Sequence, residues 1–139
     1  MTILDKAILI AAKIHAGQTD KAGKPYILHV LRVMMNMETE DEMITAVLHD
    51  TIEDSDLTID DLRKEGIPEN VITALKLLTH DDAMSYEDYI ELVKTNELAR
   101  KVKLADLKDN SNFFRLNSFD EKVGKRLKKY FDSYKKLIS

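Results

Sequence analysis

The sequence predicts an all-α fold, a compact bundle of about eight helices formed by residues 1–139 as a single domain. Three observations predict it. Apolar residues recur with the helical period almost throughout the chain. Glycine (4) and proline (2) are too sparse in 139 residues for the turns of an all-β sandwich or barrel. Hydrophobic residues at 44% and charged residues at 33% suit a soluble chain that buries a core, and argue against disorder.

The elements follow in order. A first helix is expected over about residues 4–15, with Leu4, Ala7, Ile8, Ala11, Ala12 and Ile14 towards the interior. Residues 17–25, GQTDKAGKP, read as a loop by composition. A Met-rich helix is expected over 26–37. Thr39 and Glu42 have the spacing of a capping box, so a third helix should begin near Glu40 and run to about 53–56. Thr58 and Asp61 cap a short helix that Gly66 stops. Pro68 suits the first turn of a helix over 69–79. Ser85 caps a helix to Lys94, and Asn96 caps a longer one to about Asn110. The last helix is expected over 119–137. No internal repeat, low-complexity tract or linker interrupts this series.

Composition also excludes functions. With no cysteine, a thiolate zinc site, an iron–sulfur cluster, a disulfide scaffold and a cysteine nucleophile all fall away. A net charge of −4 does not suggest a chain that binds nucleic acid or an anionic membrane. The apolar N-terminus carries Asp5, Lys6 and Lys13 and lacks a basic leader, so it reads as a folded helix and the default location is the cytoplasm.

Chemistry concentrates in AVLHDTIED. With His49 at zero and about 100° per helical residue, Glu53 lies near roughly 40°, Asp50 near 100° and Asp54 near 140°. Leu48, Ile52 and Ile44 fall on the opposite side. One helix thus aims an imidazole and three carboxylates at a common volume. Crowded carboxylates repel, and a divalent cation among them relieves that cost. The His-Asp pair alone is a weak signal, because His80-Asp81 repeats it at an expected helix end, where it reads as a structural cap. His15, at the end of the first helix, also reads as structural.

Three ordered stretches, HAGQTDKAGKPYILH, AVLHDTIED and VKLADLKDN, resemble the HD-domain metal-dependent phosphohydrolases. They look most like the hydrolase domain of RelA/SpoT-type alarmone enzymes and their small stand-alone relatives. The resemblance covers roughly residues 1–117 and implies a metal site of His29, His49, Asp50 and Asp106. Two imidazoles with two carboxylates and no thiolate suit manganese or another hard-to-borderline divalent ion. The resemblance further implies that Glu53 and Asp54 are catalytic, activating the attacking water and handling protons at the leaving phosphate, with Glu53 the more important. Lys21, Lys103 and Asn110 match positions that hold the nucleotide, and Gly23 and Tyr26 shape the loop. The implied activity is hydrolysis of guanosine tetra- or pentaphosphate to GDP or GTP and pyrophosphate. Two alternatives stay open: a phosphohydrolase acting on another nucleotide or dinucleotide, and a non-catalytic nucleotide sensor. A homo-oligomer also stays open.

The chain departs from the family pattern. Asp20 stands where an arginine is common, and LADLKDN replaces LADRLHN, so an Arg and a His are missing. Val30 replaces a common proline after His29. The expected ligands and acidic pair survive, while base recognition is altered.

Other patterns carry less. Residues 17–24 imitate a P-loop but have five residues between the glycines and Pro25 where Ser or Thr must stand. The basic stretch 122–136 reads as a solvated face over packed Val123, Leu127, Tyr130, Phe131 and Tyr134. Met34, Met35 and Met37 read as core filling or an oligomer contact.

Overall fold

The structure is a computed structural model that describes residues 1–139, the side chain of Phe113 excepted. Among the described residues the chain forms eight α-helices and one 3₁₀ turn: α1 (Ile3–His15), α2 (Ile27–Met35), α3 (Glu40–Leu48), α4 (Ile59–Lys64), α5 (Glu69–Leu78), α6 (Tyr86–Lys94), α7 (Glu97–Asn110), the 3₁₀ turn Phe113–Arg115 and α8 (Glu121–Ile138). Helix α3 is the centre of the packing and touches α1, α2, α5 and α7. Its Ile44, Ala46, Val47 and Leu48 are buried together with Val30, Val33, Val71, Leu75, Val102 and Leu107 from the surrounding helices. Helices α6 and α8 close the other side of α7. No helix is long and apolar enough to cross a membrane.

Helix starts follow the caps. Thr39 accepts from the Glu42 backbone N–H at 3.2 Å while Glu42 accepts from that of Thr39 at 3.0 Å, which satisfies two orphan donors of α3. Thr2 with Asp5 and Thr58 with Asp61 form the same reciprocal box. Gly66, at φ +88°, ends α4 in the left-handed region, and a Cβ there would stand 3.1 Å from Ile3 Cδ1.

The ends differ from expectation in instructive places. The third helix stops at Leu48, well short of 53–56, and residues 49–56 run in turns and bends. Side chains cause it: the His49 ring takes the Ala46 carbonyl at 2.5 Å and Thr51 Oγ1 takes that of Leu48 at 2.7 Å. The second helix is shorter at both ends, running from Ile27 to Met35; at its C-terminal end the Asn36 side-chain amide donates to the Arg32 carbonyl at 3.0 Å. Pro68 is the residue before α5, with extended backbone, and lies outside its first turn. The last helix starts at Glu121, because the Asp120 side chain caps it by accepting from Val123. An unexpected 3₁₀ turn occupies Phe113–Arg115.

Two side chains expected inside, Ala12 on α1 and Phe131 on α8, are exposed, and so is Met35 on α2, which was read as core filling or an oligomer contact, while Met34 and Met37 are buried. Each of the three sits at the edge of its helix's apolar stripe, where periodicity discriminates least. The 17–25 loop is an ordered excursion, closed by an isolated antiparallel bridge between Thr19 and Pro25.

Candidate metal and nucleotide site

The chemistry-bearing residues arrive from three directions. Helix α2 carries His29 in its first turn, the end of α3 carries His49 and Asp50, and α7 carries Asp106. One ligand atom from each of these four lies within 4.8 Å of the other three. His29 Nε2 stands 2.9 Å and His49 Nε2 3.1 Å from the same atom, Asp106 Oδ1. Asp50 Oδ2 lies 3.1 Å from His49 Nε2 and 4.0 Å from His29 Nε2. His29, His49 and Asp106 are buried, and Asp50 is mostly covered.

Hydrogen bonds fix the ring tautomers. His49 Nδ1 faces the Ala46 carbonyl and His29 Nδ1 faces Asp109 Oδ2 at 2.6 Å, and both partners can only accept. Each Nδ1 therefore carries a proton. The two Nε2 atoms then meet Asp106 either as a pair of imidazolium ions, with ring centroids 5.6 Å apart, or as lone pairs around a shared cation. Two adjacent buried imidazoliums repel, so the donor set fits a divalent cation held by two nitrogens and two oxygens.

The electrostatics are those of a crowded anionic centre. Burial pulls the His49 imidazole down, but the charges of Asp50 and Asp106 overcome it and hold the group well above its usual range. His29 is likewise pulled down by burial and raised on balance by Asp106 and Asp109. Burial raises Asp106, yet Lys103 and His49 together hold it well below the usual carboxylate range. Lys103 Nζ sits 2.9 Å from Asp106 Oδ2 and Asn110 Nδ2 donates to Asp106 Oδ1 at 3.2 Å.

Glu53 and Asp54 stand in the turn after α3, both exposed. Glu53 Oε1 accepts the backbone N–H of His80, and Asp54 Oδ2 lies 3.8 Å from His15 Nδ1. Partial burial raises both carboxyls, with Asp50 adding to the rise. His80 is structural as expected, but it does not cap α5: its ring takes the Met84 carbonyl at 2.8 Å and packs on Tyr89. His15 is buried against Gln18 and Tyr26.

Beside the four-ligand cluster opens a cavity of about 350 Å³. Lys21, His29, Asn110, Arg115, Arg126 and Tyr130 are among its lining residues. Sequence reasoning missed the last three. It set α8 aside as a solvated basic face, although Arg126 and Tyr130 are four apart and so share one side of the helix. It also missed Tyr26 as an active-site group; its hydroxyl donates to Asp50 Oδ2. Asp20, the residue in the common arginine's place, accepts from the backbone of Ala22 and Lys24 at 2.9 Å each and lies 3.8 Å from Arg115 Nη1.

An all-helical domain that gathers His, His-Asp and Asp in this way is an HD-type domain. No family model matches the chain. It is 33% identical over 119 residues to the guanosine-3′,5′-bis(diphosphate) 3′-pyrophosphohydrolase of Aquifex aeolicus strain VF5, a match covering 77% of this chain and 17% of that protein. It is 39% identical over 67 residues to a GTP pyrophosphokinase of Myxococcus xanthus, covering 45% of this chain and 9% of that one. Among solved structures, a metazoan ortholog of SpoT that hydrolyses ppGpp superposes with a TM-score of 0.78 at 22% identity, over 99% of this chain and 85% of that one. The chain is an HD-type domain like the hydrolase domain of RelA/SpoT. It spans less than a fifth of the length of these curated relatives.

Proposed function

We propose that the domain is a divalent-metal-dependent hydrolase that removes pyrophosphate from the 3′ position of guanosine tetra- or pentaphosphate. The observation that carries the reading is the convergence of His29, His49, Asp50 and Asp106 ligand atoms within 4.8 Å, beside a cationic cavity. Those four hold the ion, and manganese is the metal that suits their donor set. Bound there, the cation supplies Lewis-acid charge at the phosphate and makes a water easier to deprotonate.

The remaining work falls to the chain. Glu53, anchored by the His80 N–H, takes a proton from the attacking water. The new bond joins the water oxygen to the 3′-linked phosphorus, the bond from that phosphorus to the 3′ oxygen breaks, and a proton passes to the leaving 3′ oxygen. Asp54 assists at that proton transfer. Lys21 offers an ammonium at the cavity for phosphate and Asn110 borders the same space, whereas Lys103 lies outside the cavity lining, its ammonium paired with Asp106, so that it acts on the metal ligand and not on phosphate directly.

Asp20 favours a second reading, hydrolysis of a different nucleotide phosphate, because a carboxylate engaged in its own loop cannot stack on a base as an arginine does. Incubation with manganese and the alarmone should release pyrophosphate, with loss on chelation. Absence of release, alongside turnover of another nucleotide in a screen, overturns the substrate and keeps the hydrolase.

A further inference from the structure

The Asp109 carboxylate makes contacts that the proposed chemistry does not use. It lies one turn beyond Asp106 on α7, at the position where LADLKDN departs from the family's histidine. Asp109 Oδ2 faces His29 Nδ1 at 2.6 Å. Arg32, one turn after His29 on α2, places Nε 2.9 Å from Asp109 Oδ1 and Nη2 3.2 Å from Oδ2. Arg115 Nη2 reaches the same Oδ2 at 3.2 Å and also the Asp109 carbonyl. The carboxylate is thus held by two guanidiniums, its side chain only 10% exposed, with the imidazole as its third partner.

We infer that Asp109 is the positioning residue of this metal centre: fixed by Arg32 and Arg115, it fixes the His29 ring with the proton on Nδ1 and the Nε2 lone pair on the ion. This deepens the proposed metal site and rests on it. A ligating imidazole needs its second nitrogen tied to an acceptor, and a carboxylate both orients the ring and makes it a better donor. His49 obtains the same service from the Ala46 backbone carbonyl, which no substitution can remove. Among the described residues, the partner of His29 Nδ1 is the Asp109 side chain. Arg115 adds a link to the nucleotide cavity, since it lines that space and approaches Asp20 from the other side.

The test is manganese binding by the purified chain, followed by electron paramagnetic resonance of the free ion, for wild type, Asp109→Ala, Asp109→Asn and Asp106→Asn. Asp109→Ala should weaken binding about 10- to 100-fold. Asp109→Asn, whose amide oxygen can still accept from Nδ1, should lose less. Nitrogen-15 spectra of the magnesium-loaded protein should show His29 protonated on Nδ1 in wild type and a tautomer mixture in Asp109→Ala, a change that loss of packing alone does not produce. Arg32→Ala leaves the carboxylate in place and should give an intermediate affinity, which tests the idea even if Asp109→Ala fails to fold. Wild-type affinity and tautomer in Asp109→Ala, with Asp106→Asn unable to bind, would overturn the positioning role and leave the metal site standing. No binding by wild type would overturn both.

Discussion

Replacing Glu53 by glutamine tests the chemical step most directly. The carboxylate is exposed and one of its oxygens accepts the His80 backbone N–H. A glutamine amide oxygen can accept the same bond, so Glu53→Gln keeps the side chain in place and removes its basicity alone. It is outside the four-atom ligand cluster, so manganese affinity should not move. A positioned general base contributes about 10²- to 10⁴-fold, which at about 1.36 kcal/mol per decade is roughly 2.7–5.4 kcal/mol of barrier. The expected result is a kcat lower by that factor with KM nearly unchanged, read by coupled detection of pyrophosphate. The pH profile adds a second readout. Partial burial lifts the Glu53 carboxyl, and Asp50 adds to the rise, so wild-type activity should fall with acidification through a point above the ordinary glutamate value of about 4.3. The Glu53 contribution to that acid limb should be lost in the variant, changing its position. A kcat within about twofold of wild type, with the limb unmoved, refutes the general-base assignment.

Other perturbations separate the site from the scaffold. Asp106→Asn should abolish manganese binding measured by titration calorimetry while circular dichroism stays helical, because Asp106 Oδ1 is the atom both Nε2 groups face. Leu75→Ala, at a fully buried position of α5, should cost about 2–5 kcal/mol in urea unfolding and leave metal stoichiometry unchanged. Glu42→Gln should lower the melting temperature at pH 7. The Thr39 and Glu38 N–H groups and Lys101 hold that carboxyl below its usual range against the opposing effect of burial. A depressed carboxyl stabilises above its unfolded pKa of about 4.3 and loses that contribution as pH falls through the folded value, so the gap to wild type should close in acid.

How much of this was legible depended on the range of the interaction. Caps are local, and Thr39, Thr58, Ser85 and Asn96 announced their helices within a residue. The convergence of His29, His49, Asp50 and Asp106 was legible because their types and order carry the resemblance, although 77 residues separate His29 from Asp106. Asp109 stood out only as a departure within LADLKDN, since nothing local says that it meets His29 and Arg32 on another helix. Arg115 ends an unforeseen 3₁₀ turn, and its approach to Asp20 spans the chain from loop to C-terminal third. Arg126 and Tyr130 carried a signal in their four-residue spacing, but composition made the whole stretch look like solvent-facing charge.

The early end of α3 is the structural decision on which the site turns. Continued as an ideal helix, the segment would carry Asp50, Glu53 and Asp54 round its axis at fixed angles from His49. The chain instead leaves the helix at His49, whose ring occupies the Ala46 carbonyl and so gives Nε2 a fixed direction. Thr51, buried and bonded to the Leu48 carbonyl, fixes the backbone just after Asp50. The residues that stop the helix are thus the residues that aim the dipeptide, and the turn that follows can present Glu53 and Asp54 at the open edge while Leu48 stays in the core. Helix termination and ligand placement are one event here. A substitution that extends α3 through Thr51, such as Thr51→Ala, should therefore weaken metal binding without touching a ligand; unchanged manganese affinity in that variant would show that burial of His49 alone suffices to aim it.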